Sequence, residues 1–268
     1  MTGHDIRLIA VDMDGTLLMP DGSVPGALWP LLDRLAAQGI AFAPASGRQL
    51  STLQSMFADA PTELDFIAEN GAYVVRGDVE VSSDALDPAF VASVVARLRA
   101  MDAAGLRLGV VLCGKRSAHI EDTDPVFVTE VEKYYHALQV VPDLDVVDDQ
   151  ILKIAVFDFA GGEDGTAPAL ADLRATHQVV VSGLHWVDVM NQGVDKGVAL
   201  RRLQDALGVT PAQTAAFGDY LNDLQMLQAA DHSYAMADAH PEVAAAARFR
   251  APSNAEAGVV SVIERLIA

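Results

Sequence analysis

Short apolar runs alternate with helix-like stretches in the first third of the chain. Residues 6–11 and 40–45 are nearly continuous apolar runs, which favour strands buried on both faces. Between them, residues 24–38 carry leucines at helical spacing on one face, and Gly39 supplies a stop signal. Further elements predicted here are a helix over 49–57, a strand over 66–68 and a hairpin-like segment over 73–81. Strands separated by helices predict a parallel sheet with right-handed crossovers.

A loop of small, acidic and proline residues, 82–88, precedes a different pattern. Beyond it, amphipathic helices and paired strands follow one another without regular strand–helix alternation. The predicted helices are 88–101, 124–135 and 167–177, and the predicted strands are 106–112, 117–120, 152–159, 179–181 and 186–190. We therefore predict a second, α+β unit over residues 83–187, inserted in the first.

The alternating pattern then resumes and continues to residue 266. The predicted helices are 196–207, 222–228, 241–247 and 259–266, and the predicted strands are 214–217 and 233–236. The predicted fold class is therefore α/β, with a parallel sheet built from residues 1–82 and 188–268.

The net charge of the chain limits the kinds of molecule that it is expected to bind. The 268 residues include 18 Lys and Arg against 37 Asp and Glu, a formal net charge of −19, with 51% hydrophobic residues. Such a surface repels phosphate backbones and anionic lipid, so nucleic acid and membranes are not expected partners. No apolar stretch approaches the roughly 20 residues needed to span a bilayer. A small anionic substrate would need a local positive site.

Cys113 is the only cysteine, which excludes an intramolecular disulfide and a cysteine metal cluster. It lies in an apolar run, so we interpret it as a packed residue rather than a nucleophile. The first residues do not have the pattern of a signal peptide. We expect a cytoplasmic protein that is a monomer or a small homo-oligomer.

Two carboxylates follow the first predicted strand. Asp12 and Asp14 come directly after the apolar run 8–11, and Gly15 then lets the backbone turn. Carboxylates at positions i and i+2 of an extended segment point to the same side. They repel each other unless a cation or a proton lies between them. The pair therefore indicates a metal site, a proton-sharing role, or both.

Other polar residues follow predicted parallel strands or begin helices beside them: Ser46, Lys196, and Asp219 with Asp223. Ligands of open α/β sheets bind at the carboxyl ends of the strands, so these residues are expected to share one crevice with Asp12. The carboxylates of Asp12 and Asp219 suit Mg²⁺.

The same crevice is suited to a phosphate group. Lys196 and the hydroxyl of Ser46 can hold two phosphate oxygens, and backbone N–H groups around Met13 and Gly47 can hold others.

Several simpler interpretations remain beside these. An EF-hand-like calcium loop is disfavoured, because Leu17 replaces the glycine it needs and no helix precedes it. Ser46 can instead cap the following helix, and Asn70 can be a turn residue instead of a substrate contact. Arg48 is expected near the crevice without an assigned target, and His185 is expected to be structural.

The chain resembles the haloacid dehalogenase superfamily, in particular the Cof-type phosphatases with a C2 (subtype B) cap. The matching segments are Asp12-Met13-Asp14-Gly15-Thr16-Leu17-Leu18, Ser46-Gly47-Arg48, Glu69-Asn70-Gly71-Ala72, Gly193-Val194-Asp195-Lys196-Gly197 and Gly218-Asp219-Tyr220-Leu221-Asn222-Asp223-Leu224-Gln225-Met226-Leu227. All four superfamily motifs occur in order. The resemblance implies a Rossmann-like core, with residues 83–187 as a cap that closes over the crevice and supplies substrate specificity.

The resemblance also implies roles for individual residues. Asp12 would be the nucleophile that forms an aspartyl phosphate, and Asp14 the general acid and base. The phosphate-binding residues that it implies are Ser46, Gly47, Lys196 and Asn222. The Mg²⁺ site that it implies is formed by the Asp12 side chain, the Asp14 backbone carbonyl and the Asp219 side chain, and Asp223 supports this site indirectly. Possible substrate contacts are Arg48 and Asn70. We expect the pKa of Asp12 to be depressed, because its carboxylate would ligate the cation.

The function implied is hydrolysis of sugar phosphates or related small phosphate esters. A phosphomutase or phosphotransferase and a non-catalytic phosphometabolite-binding protein remain alternatives, whereas the acid at Asp14 and the large cap oppose a dehalogenase. In the cap, Cys113, Lys115, Arg116 and His119 can offer polar contacts to substrate, although Lys115 and Arg116 can equally form a solvated hairpin tip.

Overall fold

The computed structural model describes residues 5–268, which form fourteen strands and nine α-helices joined by turns and short 3₁₀ segments. The strands are β1 (Leu8–Asp12), β2 (Ala41–Ala45), β3 (Asp65–Ala68), β4 (Tyr73–Arg76), β5 (Val79–Ser83), β6 (Leu108–Gly114), β7 (Ala118–Ile120), β8 (Leu138–Val140), β9 (Ile151–Asp158), β10 (His177–Val181), β11 (Trp186–Asn191), β12 (Thr214–Gly218), β13 (His232–Ala235) and β14 (Phe249–Arg250). The helices are α1 (Leu28–Ala37), α2 (Leu50–Met56), α3 (Pro88–Ala103), α4 (Pro125–Glu132), α5 (Thr166–Ala169), α6 (Lys196–Leu207), α7 (Leu224–Gln228), α8 (Pro241–Ala246) and α9 (Gly258–Leu266).

These elements form two compact units. The first unit has two segments, one that ends at Ser82 and one that begins at Asp195. The second unit is the segment between them, Ser83–Val194. The first contains an eight-stranded sheet in the order β14-β13-β12-β1-β2-β3-β4-β5. Its strands are parallel from β14 through β3, and β4 is antiparallel to β3. The α/β, Rossmann-like fold class predicted from the sequence is confirmed.

Burial on both faces explains why the strands of this sheet are apolar runs. All five residues of β1 are buried, and its four apolar residues point alternately to two core clusters. On one face, leucines of α1 pack with Val259 and Ile263 of α9. On the other face, Leu200 and Leu203 of α6 pack with Met226 and Leu227 of α7. Central β1, between β12 and β2, therefore ends at the edge where both neighbouring strands also end.

The second unit contains a six-stranded sheet in the order β10-β11-β9-β6-β7-β8. Its neighbouring strands are antiparallel except β7 and β8, which are parallel. Helix α3 packs on one face through Val94, Val95 and Leu98, and α4 packs on the other through Phe127 and Val131. This is an α+β arrangement with a core of its own.

The structure differs from the sequence prediction mainly in the second unit. The predicted helix 167–177 is wrong in its second half: α5 is followed by a 3₁₀ turn at Ala171–Ala175, and His177 already pairs with Asn191 as the start of β10. Sheet pairing thus prevails over the local helical pattern. The short edge strand β8 was not predicted. The unit ends at Val194, beyond the predicted residue 187, because the whole of β11 lies between β10 and β9.

Candidate active site

Asp12 is the last residue of β1, and the backbone turns immediately after it. Asp12 is 6% exposed. Gly15 adopts a φ of +77°, and a Cβ added there would lie 2.4 Å from Oδ2 of Asp219. A side chain at position 15 would therefore be strained and would also strike a carboxylate. The glycine lets the turn after β1 approach the loop after β12.

Three carboxylates from two loops converge beside this turn. One carboxylate oxygen from each of Asp12, Asp219 and Asp223 lies within 4.8 Å of the other two. Asp219 also accepts a hydrogen bond of 3.0 Å from the hydroxyl of Thr16. The sequence predicted this convergence of acids, but it did not identify Thr16 as a partner of Asp219. Because carboxylate oxygens are the ligands that Mg²⁺ favours, the donor set fits that ion.

Lys196 is the first residue of α6, and its side chain is 1% exposed. Its ammonium group donates hydrogen bonds to Oδ1 of Asp12 and, at 2.7 Å, to Oδ1 of Asp223. The preceding Asp195 caps the helix by accepting from the N–H of Val198 at 2.7 Å. The lysine therefore supplies the one cation in direct contact with this group of acids among the described residues.

Asp223 also has a structural role, because it holds the backbone of the loop after β12. It is fully buried, and its Oδ2 accepts hydrogen bonds from the backbone N–H groups of Asp219 (3.0 Å) and Tyr220 (3.2 Å). Its carboxylate therefore connects Lys196 to the loop after β12. This arrangement fixes the position of Asp219.

The pKa directions follow from burial. Burial and the nearby Asp223 charge raise the pKa of Asp12 well above its usual range, although Lys196 opposes them. Burial also raises the pKa of Asp219. Burial by itself lowers the pKa of Lys196, but the charges of Asp12 and Asp223 outweigh it and raise that pKa. The depressed Asp12 pKa predicted from the sequence is that of a carboxylate that ligates a cation; the groups of the chain by themselves act in the opposite direction, because Asp12 is buried beside other acids.

Ser46, Gly47 and Arg48 follow β2 at the same edge of the sheet. The hydroxyl of Ser46 accepts a hydrogen bond of 3.2 Å from the backbone N–H of Arg48, and it makes no capping bond to α2, which begins after Gln49. A Cβ at Gly47 would lie 2.9 Å from the Asn70 amide nitrogen. Ser46 thus organises its own loop, and Gly47 leaves room for Asn70.

Arg48 and Asn70, the two possible substrate contacts, each contact another candidate site residue. The guanidinium of Arg48 binds both carboxylate oxygens of Asp14, at 2.6 and 3.2 Å. The Asn70 carbonyl oxygen accepts a 3.4 Å hydrogen bond from the amide of Asn222. The target of Arg48, which the sequence left unassigned, is therefore Asp14.

Polar residues of the second unit have partners within that unit. His119 lies 3.3 Å from Asp149, which also accepts from the backbone N–H of Arg116 at 3.0 Å. The thiol of Cys113 is buried and contacts the Tyr135 hydroxyl at 3.2 Å. Nδ1 of His185 lies 2.9 Å from the carbonyl oxygen of Asp158, which fits its expected structural role.

No helix in residues 5–268 combines the length and apolarity that crossing a bilayer requires.

The parallel sheet, with buried acids and a lysine at its carboxyl edge, defines a Rossmann-like α/β protein whose acidic cluster has the donor atoms that a divalent cation prefers. A family model described as haloacid dehalogenase-like hydrolase matches residues 9–263, and the chain belongs to that family. Its named relatives are phosphatases, so the chain is a phosphoric monoester hydrolase, as the resemblance implied.

Two relatives and one solved structure illustrate the similarity. A 5-amino-6-(5-phospho-D-ribitylamino)uracil phosphatase of Escherichia coli is 34% identical, covering 98% of this chain and 96% of the relative. An HMP-PP phosphatase of Cronobacter sakazakii is 31% identical, covering 89% of this chain and 87% of the relative. A crystal structure from Eubacterium rectale superposes with a TM-score of 0.88 at 31% identity, covering 97% of this chain and 99% of the other.

Proposed function

We propose that the chain is a Mg²⁺-dependent phosphatase that hydrolyses small phosphorylated metabolites through a phosphorylated Asp12. The observation that carries this proposal is the meeting of Asp12, Lys196 and Asp219 at one edge of the sheet. Acids alone would repel a phosphate group, and the lysine together with a divalent cation offsets that repulsion.

The residues that would hold Mg²⁺ are Asp12 and Asp219, with the backbone carbonyl of Asp14. Asp223 supports them by holding the Asp219 loop through two backbone hydrogen bonds. A bound Mg²⁺ supplies charge neutralisation between the carboxylate nucleophile and the phosphate.

The proposed reaction has two displacements at phosphorus. A carboxylate oxygen of Asp12 forms a bond to phosphorus while the bond from phosphorus to the leaving oxygen breaks, and Asp14 gives that oxygen a proton. Asp14 then takes a proton from water as the water oxygen attacks phosphorus. The bond between Asp12 and phosphorus breaks, and the products are an alcohol, inorganic phosphate and the original carboxylate.

The groups proposed to bind phosphate come from Lys196 and from the loops after β2 and β12, the two strands that neighbour β1. Lys196 already donates to Asp12, so a phosphoryl group on Asp12 would be next to its ammonium group. We propose that the Ser46 hydroxyl, the Gly47 N–H and the Asn222 amide take further phosphate oxygens. Each is a neutral donor, which suits a site already crowded with negative charge.

The substrate class is proposed from the relatives. The names of the two phosphatases above both specify small phosphorylated compounds. We propose that this chain likewise acts on a small phosphate ester and that the second unit, Ser83–Val194, is the substrate-specificity cap. We further propose a cytoplasmic monomer or small homo-oligomer; the single, buried cysteine is compatible with a reducing compartment.

The test is a panel of phosphorylated metabolites, with and without Mg²⁺, in which released phosphate is measured. The Asp12→Asn variant should lose at least about 1,000-fold in turnover, because an amide is not a nucleophile here. Asp33→Asn, which removes an exposed acid from α1, is the matched control and should retain activity. Full turnover by Asp12→Asn would remove Asp12 from the mechanism. Transfer to a sugar without stoichiometric phosphate release would indicate a phosphomutase instead.

A further inference from the structure

The contact between Arg48 and Asp14 is bidentate. Nη2 of Arg48 donates to Oδ1 of Asp14 at 2.6 Å, and Nε donates to Oδ2 at 3.2 Å. Such a fork fixes the plane of a carboxylate as well as its position. The Asp14 side chain is 64% exposed, whereas that of Arg48 is 26% exposed. Without Arg48, the Asp14 carboxylate would be a solvated group with several accessible rotamers.

The backbone of Arg48 is itself held from the next loop. Its carbonyl oxygen accepts a 3.0 Å hydrogen bond from the N–H of Glu69, and that of Ser46 accepts one of 2.9 Å from Asn70. The N–H of Arg48 donates to the Ser46 hydroxyl. The guanidinium therefore extends from a loop that is hydrogen-bonded on both sides of Gly47.

The turn that supplies those two N–H groups has a strained backbone. Glu69 and Asn70 are consecutive non-glycine residues in the left-handed region, with φ of +50° and +54°. Each such residue costs on the order of 1 kcal/mol, and the surrounding contacts must maintain it. This turn directs both N–H groups at the loop that carries Arg48.

We propose that Arg48 is a positioning residue for Asp14, and that it does not bind the phosphate of the substrate. This inference rests on the proposed function, in which Asp14 gives a proton to the leaving oxygen. Arg48 holds the Asp14 carboxyl group in place for that transfer and does not touch the reacting atoms. The need for Arg48 then depends on the leaving group: a basic alkoxide cannot depart without the proton, whereas p-nitrophenolate can.

The test uses three substrates of similar size whose leaving oxygens differ in basicity: p-nitrophenyl, phenyl and benzyl phosphate. The quantity measured is kcat/KM, because it reports the steps up to phosphorylation of Asp12 and excludes the later hydrolysis. For Arg48→Met we expect a loss of about 10- to 100-fold with benzyl phosphate and at most about 3-fold with p-nitrophenyl phosphate. Arg48→Lys should fall between, since an ammonium group lacks the planar fork.

The matched control is Arg34→Met. Arg34 lies on α1 and pairs on the surface with Glu264 at 3.5 Å, so this variant also removes an arginine–carboxylate pair. It should leave kcat/KM unchanged for all three substrates. Thermal unfolding identifies any variant that does not fold, and Arg48→Lys keeps the test decisive if Arg48→Met is unfolded.

An equal loss of kcat/KM across the three substrates, with a raised KM, would assign Arg48 to the phosphate and overturn the inference. No loss with any substrate would also overturn it. In the double variant with Asp14→Asn, replacing Arg48 should cause no further loss with benzyl phosphate, and an additive loss contradicts the coupling. The proposed function is tested separately, because activity retained by Asp12→Asn refutes it whatever the Arg48 variants do.

Discussion

Lys196 is the residue on which the charge balance of the site depends. It is buried, and it is hydrogen-bonded to Asp12 and Asp223 at once. Removing one partner of a buried ion pair leaves the other charges desolvated without compensation. Its importance therefore extends beyond the proposed contact with phosphate, to the stability of the folded chain.

We predict that Lys196→Met lowers the free energy of unfolding by about 3–5 kcal/mol at neutral pH. Urea unfolding followed by circular dichroism measures this change. Lys133→Met, at a lysine whose side chain is 60% exposed, should change stability by at most about 0.5 kcal/mol. If the two variants were equally stable, the ion pairs of Lys196 would not contribute to folding.

For individual residues, the sequence predicted which side chains share the site, but it did not predict the hydrogen bonds between them. Asp12, Lys196 and Asp219 were expected together because each adjoins the carboxyl end of a parallel strand or the start of a helix there. The Arg48–Asp14 pair and the Thr16–Asp219 bond depend on the path of two loops and on side-chain rotamers. Strand periodicity does not specify those paths, so neither contact could be predicted from the sequence pattern.

At the scale of elements, two glycines with similar backbones have different surroundings. Gly15, after β1, has a φ of +77° and faces the Asp219 carboxylate. Gly39, between α1 and β2, has a φ of +69°, and apart from its two chain neighbours no group in residues 5–268 lies within 4 Å of an added Cβ. An alanine at Gly39 would strain only the backbone, whereas an alanine at Gly15 would also displace a site residue. Comparing the two substitutions therefore separates these two effects.

We predict that Gly15→Ala raises the Mg²⁺ concentration needed for half-maximal phosphatase activity by at least about 10-fold, because the new methyl group displaces Asp219. Gly39→Ala should leave that concentration unchanged and cost about 1 kcal/mol of stability. Metal titrations of activity on both variants measure the difference. Identical titrations would contradict the close packing of the two loops.

Element prediction succeeded where local and tertiary preferences agree. Helix α6 was predicted with its observed bounds, because Asp195 caps it, its leucines face the sheet, and Gly208 ends it in a left-handed conformation. The helix predicted over 167–177 failed because its last residue pairs in a sheet whose partner strand lies further along the chain. Pairing of that kind cannot be derived from a single amphipathic pattern.

At the scale of the whole molecule, an acid buried away from the site makes the stability depend on pH. Asp65 begins β3 and is 7% exposed. Burial raises its pKa to about 6, against the opposing charge of Arg76, while Glu63 adds to the increase. Since the folded state holds this proton more tightly than the unfolded state does, the free energy of unfolding falls as pH rises from about 4 to about 6.

We predict that Asp65→Asn removes this decrease and is the more stable protein at neutral pH, by about 1–3 kcal/mol. Below about pH 3 the two proteins should be equally stable, because the acid is then protonated in both states. Urea unfolding at a series of pH values measures the difference. A constant gap across the series would assign the effect to packing and exclude titration of Asp65.

The position of Cys113 in the core of the second unit has a practical consequence. The chain has one sulfhydryl group, and it is sealed behind Val111 and Tyr135. A colorimetric disulfide reagent added to the native protein can react only after this unit opens. The rate of colour development therefore measures the opening of that unit by itself, without any engineered label.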